Sequence, residues 1–374
     1  MTLEELRARI DAIDGELLPL FLRRMECAEK VAEVKRREGL PVFDAEREQK
    51  ILGRVSRQAG KRAGAARLLY SGLMAASRAA QHAALGGGAA LRRAVDSAAA
   101  AAEPPRAESA ACLGSEGSFS REAARRLFPG ARPLFFPDFP AVFAAVAGGG
   151  ADFGVLPVEN SSAGSVGEVY DLLLRHRFTV AAAVSLPVRH CLASSENDVK
   201  KIRIVYSHPQ ALRQCAGFLK ERGLGAAPCA STAEAAERAK APGAAAVCSE
   251  AAAKARGLRV LARDIQDSAG NRTRFVAVGR RLILPPGGDK ISLCFSVPHR
   301  PGTLSSVLSQ FAAAGLNLTK IESRPIPERD FEYDFYLDFA GSVRDAGTLD
   351  LLCALSEDLP RFSFLGNYTE LDAG

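Results

Sequence analysis

Leu3, Leu6, Ile10, Ile13, Leu17 and Leu20 recur at alternating three- and four-residue spacing, and the count continues through Arg24, Cys27, Val31 and Val34. Such a stripe specifies a long helix laid along a partner. A helix over residues 2–37 is about 54 Å long. A compact body the size of residues 1–85 has a radius of gyration of only about 12 Å. One copy of the segment cannot wrap its own helix, so a helical dimer is expected. Pro19 lies inside the stripe; an interior proline costs about 3 kcal/mol and presses on the carbonyl four residues back. That residue is Gly15, where a kink is expected.

Beyond this segment the chain punctuates itself. Residues 86–108 are rich in glycine and alanine and close on Pro104-Pro105, which reads as a linker over 89–108. Leu284-Pro285-Pro286-Gly287-Gly288 marks a second linker over 283–288. Three domains follow: 1–88, 109–282 and 289–374, a reasonable division for 374 residues. No apolar run approaches the roughly 20 residues of a membrane span, and the N-terminus lacks a secretory apolar core, so a cytoplasmic protein is expected. The eight cysteines form no CxxC pair and have no histidine at ligand spacing. They read as reduced thiols rather than zinc ligands, and no metal or cofactor is expected. A net charge of +6 without a dense basic stripe argues against a nucleic-acid partner and suits a small, multiply anionic substrate.

The middle segment alternates short apolar strands (152–158, 202–206, 244–248, 274–278) with helical stretches, an α/β pattern with a largely parallel sheet. The last segment reads strand–helix–strand–strand–helix–strand. Leu304, Val307, Leu308 and Phe311 form one helical face; Tyr333, Phe335, Leu337 and Phe339 alternate with polar neighbours as a half-buried strand.

Arg24 stands where the helical stripe calls for an aliphatic residue. A buried arginine needs an anion; the plainer alternative is a snorkelling arginine paired with a nearby glutamate. Lys35 lies three turns and about 20° further on, facing the same way, whereas Arg7 is about 100° off that face. One helix cannot aim all three at a single ligand, but a second copy could. Asp44 is placed to cap a helix bearing Arg47 and Glu48, and Ser77 and Gln81 stand at i, i+4 on a third helix. Together, in the strings ELRARIDAID, LRRM, EVKRREGLPVFDAEREQKIL and ASRAAQ, these residues resemble the site of all-helical chorismate mutases of the bacterial type. The resemblance implies an intertwined dimer of three helices per chain in which the first arginine crosses to the partner's site. It assigns Arg7, Arg24 and Arg47 to the substrate carboxylates, and Lys35 and Gln81 to the ether oxygen. Glu48 and the Asp44 backbone take the ring hydroxyl, and Ser77 assists binding.

The middle segment carries no GxSxG, no Walker loop and no paired carboxylates at helical spacing, and Gly148-Gly149-Gly150 precedes a strand, as a dinucleotide fingerprint does not. Polar residues instead cluster at strand ends, in PVENSSAG, SHPQALRQC and NRTRF; each string taken singly suits an ordinary turn. With GSEGSFSREAA they resemble prephenate dehydratases over essentially all of 110–282. That family implies two α/β lobes like those of periplasmic binding proteins, with the site in the cleft. The motifs bring Asn160, Ser161, Ser207, Gln214 and Thr273, with Thr273 as the proton donor to the leaving hydroxyl. Strand alternation sends Arg272 and Arg274 away from the face of Thr273, and His208 is read as structural.

Residues 289–374 resemble an ACT domain of ferredoxin-like topology, and Glu322-Ser323-Arg324-Pro325 matches the ESRP string of phenylalanine-sensing dehydratases. The resemblance implies an allosteric phenylalanine site built from Gly302, Thr303, Leu304, Asn317, Leu318, Glu322, Ser323, Arg324 and Pro325. Thr303 and Ser305 depart from that family's usual glycine-alanine-leucine-valine string. The order mutase, dehydratase, sensor is that of the bifunctional P-protein family of phenylalanine biosynthesis. It implies chorismate and prephenate as substrates, phenylalanine as inhibitor and a homodimer or higher assembly. The alternatives are a dehydratase whose helical segment only dimerises, a two-lobed amino-acid binder, and an ACT-containing transcription regulator.

Overall fold

The structure is a computed structural model and describes residues 1–100, 105–229, 232–326, 329 and 331–372. The chain divides into two compact units: Met1–Ser97 with Lys290–Phe364, and Ala98–Asp289 with Leu365–Gly374. No helix among the described residues is long and apolar enough to cross a membrane.

The first unit opens with three helices, α1 (Leu3–Glu38), α2 (Ala45–Ala59) and α3 (Ala63–Leu85). Thr2 and Glu5 form a reciprocal capping box at the start of α1, and Gly39, at φ +67°, ends it. The helix runs unbroken through Pro19. Gly15 is exposed, so water can serve the carbonyl that the proline leaves without a donor.

Helix α1 buries only Ala28 and Ala32. Leu3, Ile10, Ile13, Leu17 and Leu20 are each at least half exposed, and Val31 and Val34 stay exposed as well. The part-buried or buried face therefore passes through Phe21, Met25, Ala28, Ala32 and Lys35, one position along from Cys27, Val31 and Val34. This inner face is distinct from the stripe read as the seam against a second copy, which stays exposed in the single chain. Small alanines let α1 and α3 approach closely, while the larger aliphatic stripe is left uncovered.

The segment expected as a linker is largely helical, as α4 (Ala89–Ala100); residues 101–104, including Pro104, lie outside the described residues. Alanine has the highest helix propensity, and Val95 gives α4 a buried anchor. The glycines before it form a docked turn. Gly88, at φ +74°, sits so close to Cys353 that a Cβ there would come within 2.2 Å of the cysteine Cβ.

The rest of the first unit follows the expected strand–helix–strand–strand–helix–strand order. Its strands are Lys290–Ser296, Leu318–Pro325, Tyr333–Ala340 and Arg361–Tyr368, and its helices are Thr303–Ala313 and Ala346–Asp358. The sheet is ordered second, third, first, fourth. Strand Tyr333–Ala340 is not half-buried as expected: Asp334, Tyr336 and Asp338 are buried too. The buried carboxylates are compensated, Asp338 by the Ser292 hydroxyl and Asp334 by Arg361 at 3.4 Å. Residues from Leu365 onward group with the other unit, where Glu370–Asp372 pairs with Thr179–Pro187.

The second unit contains two sheets. In the larger, the strand order is Glu370–Asp372, Thr179–Pro187, Arg272–Gly279, Phe153–Asn160, Ser109–Leu113, Arg132–Phe136, with Gly164–Ser165 beside Phe153–Asn160. It is mixed rather than largely parallel, because Arg272–Gly279 runs antiparallel to both neighbours. The smaller sheet is ordered Arg259–Ala262, Cys191–Ser194, Ala244–Cys248, Ile204–Ser207, Gly225–Pro228. All eight cysteines are free thiols, and every one but Cys27 is buried.

Replacing Gly88 by alanine forces a side chain into Cys353 and onto an unfavourable φ. We expect Gly88→Ala to cost about 2–4 kcal/mol by overpacking and backbone strain. A differential scan should show the first unit melting several degrees lower; an unchanged transition would contradict the tight turn.

Candidate active sites

In the helical segment, α3 carries the polar centre. Arg24 of α1 donates through Nη1 to the Leu73 carbonyl at 2.9 Å and also to the Ser77 hydroxyl. Ser77 and Gln81 are buried, and the Gln81 Nε2 donates to the Ser77 carbonyl at 3.2 Å. The Gln81 Oε1 is buried without a hydrogen-bond partner. Arg24, Ser77 and Gln81 thus form one group, and Arg24 is served by neutral oxygens rather than by a glutamate. That leaves its positive charge uncompensated for an anionic ligand.

Lys35 lies near the turn between α1 and α2 and donates to the Val42 carbonyl at 2.6 Å, which leaves two ammonium hydrogens for other acceptors. Asp44 is the N-cap of α2, accepting from the Arg47 N–H at 3.0 Å, as expected. Glu48, one position on, is part-buried and pairs with Arg78. Arg47 and Arg7 are exposed, Arg7 on the uncovered part of α1. Of the predicted set, Arg24, Ser77 and Gln81 are joined by direct bonds; Arg7 and Arg47 are not. Arg78 was missed, being one of many arginines on helical surfaces in the sequence.

In the second unit, antiparallel pairing does what strand ends alone did not imply. Asn160 ends its strand, Thr273 nearly begins the next, and the two stand opposite each other in register. The Asn160 Nδ2 donates to the Thr273 hydroxyl oxygen at 2.8 Å and to the Asn271 Oδ1 at 2.9 Å. Its Oδ1 accepts from the backbone N–H groups of Ser162 and Ala163 at 3.0 and 2.9 Å, which fixes the amide orientation. Ser161 braces the same turn: its hydroxyl donates to the Gly270 carbonyl at 3.2 Å and accepts from the Arg272 N–H at 2.9 Å. Because the Thr273 oxygen accepts from an amide, its own hydrogen remains to be donated elsewhere.

Ser207 and Gln214 belong to the smaller sheet and its helix, each with its own partner. Ser207 is fully buried and donates to the Val247 carbonyl at 2.6 Å. Gln214 accepts from the His190 Nε2 at 3.1 Å. His190 and Asn271 were overlooked in the sequence. Asn271 is inside the NRTRF string, 2% exposed, with an Nδ2 lacking a hydrogen-bond partner. His190 has no motif around it and becomes notable only through burial. The arginines flanking Thr273 are held by groups other than Thr273. Arg272 binds Ser185 and Asp372; Arg274 donates to the Tyr368 hydroxyl at 2.6 Å and faces Glu159 and Glu370. His208 caps a helix through its Nδ1, which accepts from the Gln210 N–H at 3.3 Å. Among the described residues no cluster of His, Cys, Asp and Glu is arranged to hold a metal ion.

The residues expected to sense an effector separate into two groups. Gly302, Thr303 and Leu304 line a cavity of about 220 Å³ together with Pro298, Tyr333 and Phe335, and Gly302 at φ +86° turns the chain into the helix. Leu318, Glu322, Ser323, Arg324 and Pro325 lie on the neighbouring strand, preceded by Asn317; Ser323 stands opposite Phe335 and Pro325 opposite Tyr333. Ser323 and Pro325 share the exposed face of that strand, whereas Leu318, Glu322 and Arg324 share the other.

The family model for chorismate mutase type II matches residues 6–82, and that for prephenate dehydratase matches residues 110–282. A bifunctional chorismate mutase/prephenate dehydratase of Aquifex aeolicus is 34% identical over 371 residues, spanning 98% of this chain and 97% of that one. Among solved structures, the prephenate dehydratase of Arthrobacter aurescens in complex with L-Phe superposes with a TM-score of 0.64 at 30% identity, covering 70% of this chain and 90% of that chain. A protein described as GqqA, a novel type of quorum quenching acylase, gives a TM-score of 0.65 at 31% identity, covering 70% of this chain and 98% of its own.

Burial lowers the His190 pKa, only partly offset by its bond to Gln214. The His190 Nδ1 has no acceptor, so a proton there would be buried unpaired. A depressed histidine is neutral in the folded state and charges more readily once unfolded. Stability of the second unit should therefore fall as pH drops below about 6.5 toward the lowered value. Melting temperatures measured from pH 7.5 to 5 should show this loss, and His190→Gln should reduce it; identical profiles would contradict it.

Proposed function

This chain belongs to the bifunctional chorismate mutase/prephenate dehydratase family, and on that premise we propose which residues carry each reaction. The enzyme rearranges chorismate to prephenate in its helical segment and converts prephenate to phenylpyruvate in the two-sheet unit, under feedback inhibition by phenylalanine. The observation that carries this reading is the near-complete match to a bifunctional relative, together with a polar constellation in each matched segment.

The first reaction is intramolecular and exchanges no proton, so positioning and charge stabilisation supply the acceleration. Arg24 and Arg47 hold substrate carboxylates. Lys35 and Gln81 address the ether oxygen as its bond to the ring breaks, with the Gln81 amide turning from the Ser77 carbonyl to donate. Glu48 and the Asp44 backbone take the ring hydroxyl, and Ser77 keeps Arg24 in place. Arg7 lies beside the uncovered stripe of α1, too far around the helix to join Arg24 and Lys35 on one ligand. In a dimer formed along that stripe it reaches the partner's substrate, and the exposed Leu3, Ile10, Ile13 and Leu17 gain the cover they lack.

The second reaction removes the ring carboxylate as CO2 and the ring hydroxyl as water, one proton being taken up by the leaving oxygen. The Thr273 hydroxyl, polarised by the Asn160 amide, donates to that oxygen. Ser161 and Asn160 hold the turn in shape, and Ser207 and Gln214 line the facing lobe. The C-terminal strand–helix repeat is read as an ACT domain of ferredoxin-like topology, with phenylalanine held at the Gly302–Leu304 turn and the strand carrying Arg324. The domains of this reading are 1–88, 109–282 and 289–374, joined through 89–108 and through 283–288. The acylase description of GqqA assigns no role to any residue here, and release of phenylpyruvate from prephenate separates the two readings.

Lys35→Ala should abolish consumption of chorismate while leaving prephenate turnover intact, and Thr273→Ala should do the reverse, each by at least about a hundredfold. Equal loss of both activities in either variant would refute separate sites. Arg324→Ala should relieve inhibition by phenylalanine with little change in the uninhibited rate; undiminished sensitivity would misplace the effector site.

A further inference from the structure

Arg78 of α3 is buried yet bonded to two carboxylates that are far apart in sequence. It pairs with Glu48 of α2 through Nη1, and with Asp358, the last residue of helix Ala346–Asp358, through Nε at 3.0 Å. Its guanidinium lies 5.2 Å from the centre of the Phe43 ring. The second oxygen of Asp358 is bound by the His82 Nε2 at 2.8 Å, and the Nδ1 of the same ring lies 3.1 Å from Glu357. The end of the C-terminal helix is fixed again by the Gly88 N–H on Glu357, by Arg92 on Asp350 and by the close fit of Gly88 against Cys353. Glu48, Arg78, Asp358 and His82 thus form a single polar chain, running from the helical segment into the C-terminal one.

We propose that Arg78 and Asp358 are positioning residues for the chorismate rearrangement: Asp358 aims the Arg78 guanidinium, which in turn holds Glu48. The inference rests on the proposed role of Glu48 as acceptor of the substrate's ring hydroxyl. A carboxylate with one oxygen tied to an arginine presents the other in a defined direction. An arginine in so dry a site swings toward whatever anion remains when one partner is lost. Without Asp358, the guanidinium engages Glu48 with both arms and the oxygen meant for the substrate is occupied. The C-terminal segment therefore completes the first active site as well as following it in the chain.

The test is a double-mutant cycle in the full-length protein, with Glu48→Gln, Asp358→Asn and the pair, assayed for chorismate and prephenate turnover. Asp358→Asn should lower kcat/KM for chorismate by about ten- to a hundredfold, the loss typical of small misplacements. Prephenate turnover should stay within about twofold, and Asp358→Glu should recover most of the loss. In the Glu48→Gln background the second substitution should add little, because its effect passes through Glu48. Losses that multiply in the pair, or an undiminished or raised chorismate turnover in Asp358→Asn, would overturn the inference. If Glu48→Gln is itself harmless, the assignment of Glu48 fails instead, a distinguishable result. Should Asp358→Asn fail to fold, as loss of prephenate turnover would reveal, Arg78→Lys replaces it in the cycle; multiplying losses there would overturn the inference equally.

Discussion

A helix of 36 residues with an aliphatic stripe that no described residue of its own chain covers is the constraint from which the rest of the molecule follows. Fully burying one such side chain is worth about 1.5–3 kcal/mol, so leaving six or more in water is a large unclaimed stabilisation. The chain spends an adjoining face of α1 on α3 through Ala28 and Ala32, which leaves the stripe uncovered. The same geometry separates the cations. Arg24 and Lys35 look inward at α3 and the α1–α2 turn, whereas Arg7 stands out on the uncovered end. A site needing all three is a site shared between chains.

Charge placement then distinguishes the two reaction centres. In the helical segment the polar groups are cations served by neutral oxygens, an arrangement that waits for an anion, with Glu48 as the exception held by Arg78. In the two-sheet unit, the arginines adjacent to Thr273 are taken up by Asp372, Glu159, Glu370 and Tyr368, so the centre itself is neutral. In the proposed reaction it donates one hydroxyl hydrogen, and the Asn160 amide, pinned on both oxygen and nitrogen, sets where that hydroxyl sits. Asn160, Asn271 and Thr273 at its heart are buried, and a hydrogen bond in so dry a place is strengthened.

Local strings carried most of what the fold then arranged. Strand 244–248 and the cap at Asp44 were legible because apolar runs and capping residues act within a few positions. NRTRF and PVENSSAG named Thr273 and Asn160, but antiparallel pairing, which the composition of neither string reveals, is what sets them opposite each other. The alanine-rich stretch after Leu85 was read as a linker because alanine suits a free helix and a spacer alike; docking on Cys353 and Asp350 decides between them. The face of α1 that packs within the chain was not read at all, since Ala28 and Ala32 score weakly beside Val31 and Val34 although it is their smallness that allows contact. Asp358 lies 280 positions from Arg78, and no periodicity connects them.

The shared site is tested most directly by mixing two inactive variants. Arg7→Ala and Lys35→Ala each remove one cation, from opposite sides of the proposed interface. If each site takes Arg7 from one chain and Lys35 from the other, randomly mixed dimers should regain up to about a quarter of wild-type chorismate turnover, because half the dimers are mixed and each has one intact site. Turnover that stays at the average of the two parent variants after unfolding, mixing and refolding would contradict it.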